Sequence, residues 1–364
     1  MIPLKDAHLL RQQDFIANRW TDADTGETIP VYNTSDGKRL GTVPSLSASE
    51  VGKAVDAAQK AFEGWRRRTA KDRAALMRRW YRLMMENQED LAIIMTAEQG
   101  KPLVEARGEV AYAAAFIEWY AEEGKRVYGD TIPTHQAGSR IVVIKEPVGV
   151  CAAITPWNFP AAMITRKAGP ALAAGCTIVV KPASQTPFTA LALAELSLRA
   201  GFPPGIFNVV TGKADIVGEA LVGNPVVRKI SFTGSTEVGK RLMRQSAESV
   251  KKISLELGGH APFIVFDDAD VDAAVEGAVA SKYRNSGQTC VCANRMIVQS
   301  GVHETFTRKL VDKVRALTVA DGFEAGSQQG PLINMSAVEK VERHIEDAVA
   351  LGAKLLTGGR RHAR

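Results

Sequence analysis

The feature that most constrains the fold of this chain is a regular alternation of apolar strands and helices that begins at Val148. Strands are predicted at 148–154, 176–181, 206–210, 229–233, 250–255 and 261–266. Helices are predicted between them, near 160–174, 186–200, 213–222 and 235–248, and a helix, a strand and a helix follow at 271–285, 296–299 and 303–318. Strand–helix alternation is typical of a parallel sheet covered by helices, so the sequence predicts an α/β fold.

The first 145 residues have a different organisation. Short strands are predicted within 15–47, and helices follow, the first of them opened by a capping box at residues 47–50. Pro102 ends one helix and starts the next, which runs to Gly124. Residues 126–145 are rich in β-forming side chains around a polar turn, which predicts a hairpin that serves as a linker or an assembly arm.

Length and charge limit the classes of protein to which the chain can belong. It has 364 residues, more than one hydrophobic core usually supports, so two or more domains are expected. Its 46 basic residues are interspersed with 40 acidic ones, which indicates a mixed, solvated surface with a net charge of +6. No basic block is interleaved with aromatic residues, which argues against nucleic-acid binding. The mild positive excess suits an anionic cofactor or substrate.

Cysteine usage and hydropathy predict a soluble, cytoplasmic protein that does not enter a membrane. Four cysteines in this length are too few for a disulfide scaffold, and the first residues lack the apolar core of a signal peptide. The uncharged run 148–165 approaches the length of a membrane span, but Pro156 and Pro160 interrupt it. It is therefore predicted to form a buried strand, a loop and a helix.

Two of the four cysteines, Cys290 and Cys292, lie between a polar turn and an apolar strand. A thiol at such a junction is either a small buried hydrophobic group or a group presented at the floor of a cleft. If both residues belong to the strand, they share a face and can meet oxidatively. The six histidines are scattered and the cysteine pair lacks the other ligands that zinc requires, so no metal site is predicted.

Candidate ligand-binding residues follow two of the predicted strands, where open α/β sheets bind their ligands. Residues 181–184 follow one strand, and the glycine-rich residues 233–240 follow another. A glycine-rich loop of this kind either binds a phosphate through backbone N–H groups or is only a tight turn. Residues 234–240 also match the G-x-x-x-x-G-K pattern, but Arg241 stands where a P-loop needs Ser or Thr, which disfavours a phosphotransferase.

Two polar residues occupy apolar stretches of sequence. Glu256 lies within Leu-Glu-Leu-Gly-Gly at 255–259, where burial would raise its pKa and suit it as a general base. The alternative is an exposed glutamate on an edge strand. Asn158, between two aromatic residues, either donates a hydrogen bond to a developing oxyanion or satisfies the backbone of its own loop.

Five motifs carry a resemblance to a known family. They are Pro-Trp-Asn-Phe-Pro at 156–160, Lys-Pro-Ala-Ser at 181–184, Phe-Thr-Gly-Ser at 232–235, Leu-Glu-Leu-Gly-Gly at 255–259 and Gly-Gln-Thr-Cys at 287–290. With these motifs, in this order and spacing, the sequence resembles the aldehyde dehydrogenase superfamily over essentially its whole length. Residues 162–167 and 284–292 resemble the branch of NAD(P)-dependent succinate-semialdehyde dehydrogenases.

The resemblance implies three catalytic residues. Cys290 is expected to attack the aldehyde carbon as a thiolate, and Asn158 and the Cys290 backbone N–H are expected to bind the resulting oxyanion. Hydride transfer to the nicotinamide then leaves a thioester, and Glu256 is expected to activate the water that hydrolyses it. Covalent capture of this kind divides a difficult oxidation into two easier steps.

The resemblance also implies a cofactor site and a choice of cofactor. Lys181 is expected to bind the adenosine ribose, and Gly234 and Ser235 to lie against the pyrophosphate. Ser184 stands where NAD-preferring relatives often carry Glu, so NADP is preferred, with NAD as the alternative. The expected cofactor-binding residues are Thr155, Pro156, Trp157, Lys181, Ala183, Ser184, Thr233, Gly234, Ser235, Val238, Glu256 and Leu257.

The implied substrate is succinate semialdehyde, an aldehyde with a distal carboxylate. Arg166 and Arg284 match the carboxylate-binding arginines of the branch, and Cys290 completes the substrate site. Another carboxylated semialdehyde such as glutarate semialdehyde remains an alternative, because a methylene is discriminated by only about 1–3 kcal/mol. Cys292 is either a packed thiol or the partner of Cys290 in a reversible regulatory disulfide.

The resemblance implies a Rossmann-type cofactor domain at 1–124 and 146–256, an oligomerisation hairpin at 125–145 and an α/β catalytic domain at 257–364. It also predicts a further segment beyond Arg364 that completes the catalytic domain, and a homodimer or homotetramer of the full-length chain. An inactive, truncated cofactor-binding module is therefore a second hypothesis for this sequence.

Overall fold

A computed structural model describes residues 2–362 of the chain. The strands within this range are β1 (Asp14–Ile16), β2 (Arg19–Thr21), β3 (Thr28–Tyr32), β4 (Arg39–Pro44), β5 (Asp130–Ile132), β6 (Ile141–Val143), β7 (Val150–Ile154), β8 (Thr177–Lys181), β9 (Phe207–Val209), β10 (Val227–Thr233), β11 (Lys252–Glu256), β12 (Ala261–Val265) and β13 (Ala293–Val298). The α-helices are α1 (Ala48–Arg66), α2 (Ala70–Glu86), α3 (Gln88–Gln99), α4 (Leu103–Glu123), α5 (Ala162–Ala173), α6 (Pro187–Arg199), α7 (Ala214–Gly223), α8 (Thr236–Ala247), α9 (Val271–Tyr283), α10 (Ser300–Arg315) and α11 (Met335–Ala350).

A seven-stranded sheet organises the first two thirds of the chain, in the order β11-β10-β7-β8-β9-β1-β2. The five strands from β11 to β9 are parallel, and β1 and β2 add an antiparallel edge. Ile154 pairs with both Lys181 and Phe232, so the carboxyl ends of β7, β8 and β10 lie at the same edge. The predicted strand–helix alternation and its parallel sheet are confirmed, and the residues that follow these strands are brought together.

Helices cover both faces of this sheet because its central strands are apolar on both sides. Every residue of β8 is buried. Ile178 and Val180 pack into the core formed with α2, α4, α5 and α6, whereas Val179 packs into the core formed with α1, α7 and α8. Trp80 of α2 lies in the first core, where its indole N–H donates to the Leu193 carbonyl at 3.1 Å.

The helix boundaries follow the predicted capping and breaking residues. Ser47 and Glu50 form the reciprocal hydrogen bonds of a capping box at the start of α1. Gly100 ends α3 in the left-handed conformation, with φ of 91°, and Pro102 precedes α4. A side chain at Gly100 would also meet Pro331, so glycine is needed here for both conformation and space. The α3–α4 junction is therefore a tightly built turn.

The later part of the chain forms a second, smaller sheet in which β12 and β13 pair in parallel. Helices α9 and α10 pack together beside it around a small apolar core. The predicted catalytic domain at 257–364 contains these elements, and its last two residues, Ala363 and Arg364, lie outside the described residues.

The predicted hairpin at 125–145 contains β5 and β6, which pair in antiparallel register. Its apolar side chains are exposed, and Val142 and Ile144 keep 68% and 71% of their accessible surface.

The uncharged run 148–165 is divided into β7, a loop and the start of α5, as predicted. Between residues 2 and 362, no helix is long and apolar enough to cross a membrane.

Trp80→Ala is expected to lower the free energy of unfolding by about 3–5 kcal/mol, because it empties a fully buried site between Phe202 and Phe207. Denaturant unfolding measures the change. Trp119 of α4 keeps 63% of its surface exposed, so Trp119→Ala is the matched control and is expected to change the free energy by less than about 0.5 kcal/mol. Equal losses in the two variants would contradict this description of the core.

Candidate active site

The loop that carries Cys290 begins with three consecutive residues in the left-handed conformation. Asn285, Ser286 and Gly287 have φ angles of 52°, 55° and 76°. Such a conformation is strained for Ser286 and persists only where surrounding contacts enforce it. Asn285 supplies these contacts, because its Nδ2 donates to the Asn158 carbonyl at 3.0 Å and its Oδ1 accepts from Gln99 Nε2 at 3.0 Å.

Both thiols of the loop lie outside the following strand. The backbone N–H of Cys292 donates to the Thr289 carbonyl at 3.2 Å, and β13 begins only at Ala293. The expectation that both cysteines share one strand face is therefore wrong, because the chain is still turning at these residues. Cys290 is half-buried, whereas Cys292 is buried with its thiol against the carbonyls of Gly287 and Thr289, at 3.2 and 3.0 Å. All four cysteines of the chain are free, and the regulatory disulfide remains a hypothesis.

Charged residues from two other elements act on the Cys290 thiol. Burial raises its pKa, and the negative charge of Glu256 raises it further. The positive charge of Arg166 opposes both effects. The structure therefore brings the predicted nucleophile, the predicted base and one predicted substrate-binding arginine within electrostatic range of one another.

Asn158 lies in the loop between β7 and α5 (the Asn158 loop). It is hydrogen-bonded to the loop at 284–292 that carries Cys290 (the cysteine loop). Its Nδ2 donates to the Gln288 carbonyl at 3.0 Å, two residues before Cys290. Its own carbonyl accepts from Lys101 Nζ at 2.8 Å and from Asn285. The amide thus has a structural partner, but in the loop of Cys290 rather than in its own loop as the second interpretation predicted, and its second N–H hydrogen can still donate to a ligand.

Glu256 is exposed, so the expectation of a desolvated glutamate is wrong and the alternative of an exposed glutamate on an edge strand is the one observed. It is the last residue of β11, the outermost strand of the seven-stranded sheet, where side chains alternate between half-buried and exposed positions. Its backbone is nevertheless tied to the neighbouring strand end, because it pairs with Thr233 and its carbonyl accepts from the Gly234 N–H at 3.1 Å.

A cavity of about 360 Å³ lies at the carboxyl ends of β7, β8 and β10. Its lining includes ten of the twelve expected cofactor-binding residues, and Glu256 and Leu257 are the two that lie outside it. The ten are Thr155, Pro156, Trp157, Lys181, Ala183, Ser184, Thr233, Gly234, Ser235 and Val238.

The polar groups of this cavity suit a nucleotide. Buried side-chain oxygens of Thr155, Thr233 and Gln245 have no hydrogen-bond partner among the described residues. Burial lowers the pKa of Lys181 to about 8, and its ammonium group donates to the Pro182 carbonyl at 3.0 Å. A dinucleotide would supply hydroxyl and phosphate oxygens to these side chains and to the positive end of α8, so the residues present fit such a group.

The loop before α8 has no room for a side chain at Gly234. A Cβ atom at Gly234 would lie 2.4 Å from the Phe232 ring. Ser235 then caps α8 by accepting from the Val238 N–H at 3.3 Å. Because α8 begins at Thr236, Lys240 is already inside the helix, and the G-x-x-x-x-G-K match does not form a phosphate-enclosing loop.

In the part of the chain described, no group of three potential metal-ligating side chains is placed to hold a metal ion.

The two predicted carboxylate-binding arginines lie against different aromatic rings. Arg166 of α5 donates to the Tyr112 hydroxyl at 2.5 Å, and its Cζ lies 4.9 Å from the centre of the Phe116 ring. Arg284 is exposed, and its Cζ lies 4.7 Å from the centre of the Phe159 ring. Of the two, Arg166 is the one whose charge acts on the Cys290 thiol.

Sequence reasoning missed a set of buried polar residues at the α3–α4 junction. Lys101 and Glu109 form a buried ion pair, and Lys101 also donates to the Asn158 carbonyl at 2.8 Å. The remaining Glu109 oxygen accepts from the N–H groups of Ala161 and Ala162, at 2.9 and 3.2 Å. The signal in the sequence was the charge of Glu109 within the mainly apolar helix α4, whereas Lys101 lies in the turn before that helix. The cavity lining also contains residues of α7 and α8 that no motif marked, namely Ala214, Asp215, Gly218, Glu219, Leu242 and Gln245.

Comparison with known proteins agrees with this site. The model of the aldehyde dehydrogenase family matches residues 20–364. The chain belongs to the aldehyde dehydrogenase family. This confirms the resemblance predicted from the five motifs, and with it an oxidoreductase fold of the aldehyde dehydrogenase type.

Individual relatives are similar over nearly all of this chain. It is 63% identical over 361 residues to the succinate-semialdehyde dehydrogenase [NADP(+)] of Escherichia coli, covering 99% of this chain and 75% of that protein. It is 63% identical over 360 residues to a glutarate-semialdehyde dehydrogenase of Pseudomonas aeruginosa, covering 99% of this chain and 74% of the relative. The crystal structure of succinate-semialdehyde dehydrogenase from Burkholderia pseudomallei superimposes with a TM-score of 0.98 at 62% identity, covering 99% of this chain and 75% of that one.

Glu256→Gln is expected to lower the pKa of the Cys290 thiol, because it removes a negative charge that raises it. A larger fraction of Cys290 is then thiolate at about pH 8, so alkylation by iodoacetamide is faster than in the unmodified protein. Mass spectrometry of the Cys290 peptide measures the rate across a pH series. Glu248→Gln, at an exposed site after α8, is the control, and identical pH profiles for all three proteins would refute the interaction.

Proposed function

We propose that this protein oxidises succinate semialdehyde to succinate with NADP through a covalent intermediate on Cys290. One observation carries the proposal: the Cys290 loop is hydrogen-bonded to the Asn158 loop, which leads from the cofactor cavity to the helix that bears Arg166. The relatives named above support the substrate and the cofactor, because one is an NADP(+) succinate-semialdehyde dehydrogenase.

In the proposed acylation step, the Cys290 thiolate adds to the aldehyde carbon and the carbonyl oxygen becomes an oxyanion. The free N–H of the Asn158 amide and the backbone N–H of Cys290 donate to this oxygen and stabilise its charge. The bound cofactor supplies the acceptor for the hydride that leaves the same carbon. Loss of that hydride restores the carbonyl group and leaves an acyl thioester on Cys290.

In the proposed deacylation step, Glu256 takes a proton from a water molecule as the water oxygen adds to the thioester carbon. The carbon–sulfur bond then breaks, which releases the carboxylic acid and returns Cys290 as a thiolate. An exposed position is compatible with this task, because the carboxylate must reach solvent water and its negative charge already acts on Cys290.

The distal carboxylate of the substrate is proposed to bind Arg166 and Arg284. Guanidinium groups bind carboxylates through two parallel charge-assisted hydrogen bonds. Arg166 Nε is buried and has no partner among residues 2–362, so it has a donor to offer. Glutarate semialdehyde is the second candidate substrate, since a relative of equal identity is a glutarate-semialdehyde dehydrogenase.

NADP is proposed as the preferred cofactor because of two residues at the carboxyl end of β8, Ser184 and Lys181. Ser184 places a neutral side chain in the cavity where a glutamate would repel a 2′-phosphate. Lys181 also lines this cavity and can offer its positive charge to that phosphate.

We also propose the domain division at 1–124 with 146–256, 125–145 and 257–364, and self-association through the hairpin. Exposed β-branched residues on a two-stranded hairpin suit pairing with a second copy of the chain. Four free thiols suit a reducing compartment such as the cytoplasm.

Arg166→Met is expected to lower kcat/KM for succinate semialdehyde about 10-fold or more, because one charged hydrogen-bonding partner of the carboxylate is lost. Butanal, which has the same chain length and no carboxylate, serves as the matched substrate and should show a smaller loss, which comes only from removing the Arg166 charge that acts on the Cys290 thiol. Formation of reduced NADP measures turnover, with Cys290→Ala as the blank. Turnover that survives in Cys290→Ala would refute the proposed mechanism. If the unmodified protein binds the cofactor but does not oxidise the aldehyde, the hypothesis of an inactive cofactor-binding module is favoured instead.

Ser184→Glu is expected to raise KM for NADP at least about 10-fold and to leave KM for NAD nearly unchanged, because a carboxylate placed beside the 2′-phosphate repels it. Steady-state kinetics with each cofactor measures the change. A proportional loss for NAD and NADP would instead mean that Ser184 does not lie near the 2′ position.

A further inference from the structure

The proposed mechanism leaves one buried charge without a function. Lys101 retains only 2% of its accessible surface and lies between α3 and α4. Its ammonium group contacts Glu109, donates to the Asn158 carbonyl at 2.8 Å and lies 4.2 Å from the centre of the Phe159 ring. A buried ammonium group is costly unless acceptors surround it, so these contacts fix where the loop can lie.

The ion pair holds the Asn158 loop at two points. Lys101 binds the carbonyl of Asn158 itself, and Glu109 accepts from the N–H groups of Ala161 and Ala162, where α5 starts. The acidic side chain is also favourable at the positive end of that helix. Residues 158–162 are therefore connected to α4 by charged hydrogen bonds rather than by apolar packing alone.

The same junction also reaches the cysteine loop. Gln99 Nε2 donates to Asn285 Oδ1 at 3.0 Å, and Gln99 Oε1 accepts from the Lys101 backbone N–H at 3.0 Å. Asn285 and Lys101 then donate to one shared acceptor, the carbonyl of Asn158. Two loops that must be placed relative to each other for catalysis meet at one carbonyl oxygen.

We propose that Lys101 is a positioning residue for the oxyanion site, which holds the Asn158 backbone so that its side-chain amide faces the carbon attacked by Cys290. The inference rests on the proposed function of Asn158 and Cys290. Misplacement of a catalytic group by about 1 Å can lower a rate about 100-fold, and loss of one oxyanion donor lowers it by about 100- to 1,000-fold. Lys101 touches neither substrate nor cofactor in this account and acts through Asn158.

A double-mutant cycle separates positioning from general stabilisation. Lys101→Met is expected to slow single-turnover formation of reduced cofactor about 10- to 100-fold at saturating substrate, with cofactor affinity unchanged. In the Asn158→Ala background the same substitution is expected to have less than about a twofold effect, because the amide that Lys101 positions is already absent.

Lys251→Met is the matched control. Lys251 is also a buried lysine that donates to two backbone carbonyls, those of Asn224 and Val227, at 2.7 and 2.8 Å. It lies beside the amino-terminal ends of β10 and β11, away from the cavity, the Asn158 loop and the cysteine loop. Its substitution is expected to lower the melting temperature and to leave the single-turnover rate within about twofold.

Hydrogen exchange supplies a readout that does not require turnover. Lys101→Met is expected to accelerate amide exchange in residues 155–162 and 284–292, whereas Lys251→Met should leave both segments unchanged. If Lys101→Met does not yield folded protein, Lys101→Gln, which keeps a polar group beside Glu109 but removes the ammonium group, carries the same predictions.

Two results would overturn the inference: rate losses that multiply independently in Lys101→Met and Asn158→Ala, or unchanged exchange in both segments. Failure of the proposed function gives a different result, because Asn158→Ala alone would then leave oxidation of the aldehyde unaffected.

Discussion

The arrangement of this site depends on polar side chains buried at the α3–α4 junction. Three of four consecutive residues there contact three different segments of the chain. Glu98 accepts from the N–H groups at the start of α6, Gln99 binds the cysteine loop, and Lys101 binds the Asn158 carbonyl. Burial raises the pKa of Glu98 to about 8, which shows how far this junction is removed from solvent. A single turn of chain thus fixes the ends of segments that are far apart in sequence.

The seven-stranded sheet provides the second constraint. Parallel strands end at a common edge, so the residues after β7, β8 and β10 form one cavity although they come from separate parts of the chain. The loop after β7 continues from the cavity to Asn158, and the cysteine loop arrives from the smaller β12–β13 sheet. The fold thereby places the cavity next to the junction of two loops, which carry a thiol and an amide.

Local features of the fold and site could be predicted from the sequence, and long-range features could not. Apolar periodicity located the parallel strands, and the motifs identified the family and ten of the residues that line the cavity. The sequence left a buried and an exposed Glu256 as alternatives, and only the position of β11 as an edge strand decides for exposure. Lys101 escaped notice for the opposite reason: its sequence neighbours mark a turn, and only contacts with Glu109 and Asn158 explain why a lysine is buried there. The left-handed run at Asn285 also depends on distant partners.

The central claim is that Cys290 forms the acyl intermediate, and trapping that intermediate tests it most directly. Glu256→Gln protein is mixed with succinate semialdehyde and NADP, quenched in acid within the first turnover and digested for mass spectrometry. A mass increase equal to one succinyl group is expected on the peptide that contains Cys290, formed together with one equivalent of reduced cofactor. Reduced cofactor without any adduct on Cys290, or an adduct on another residue, would contradict it.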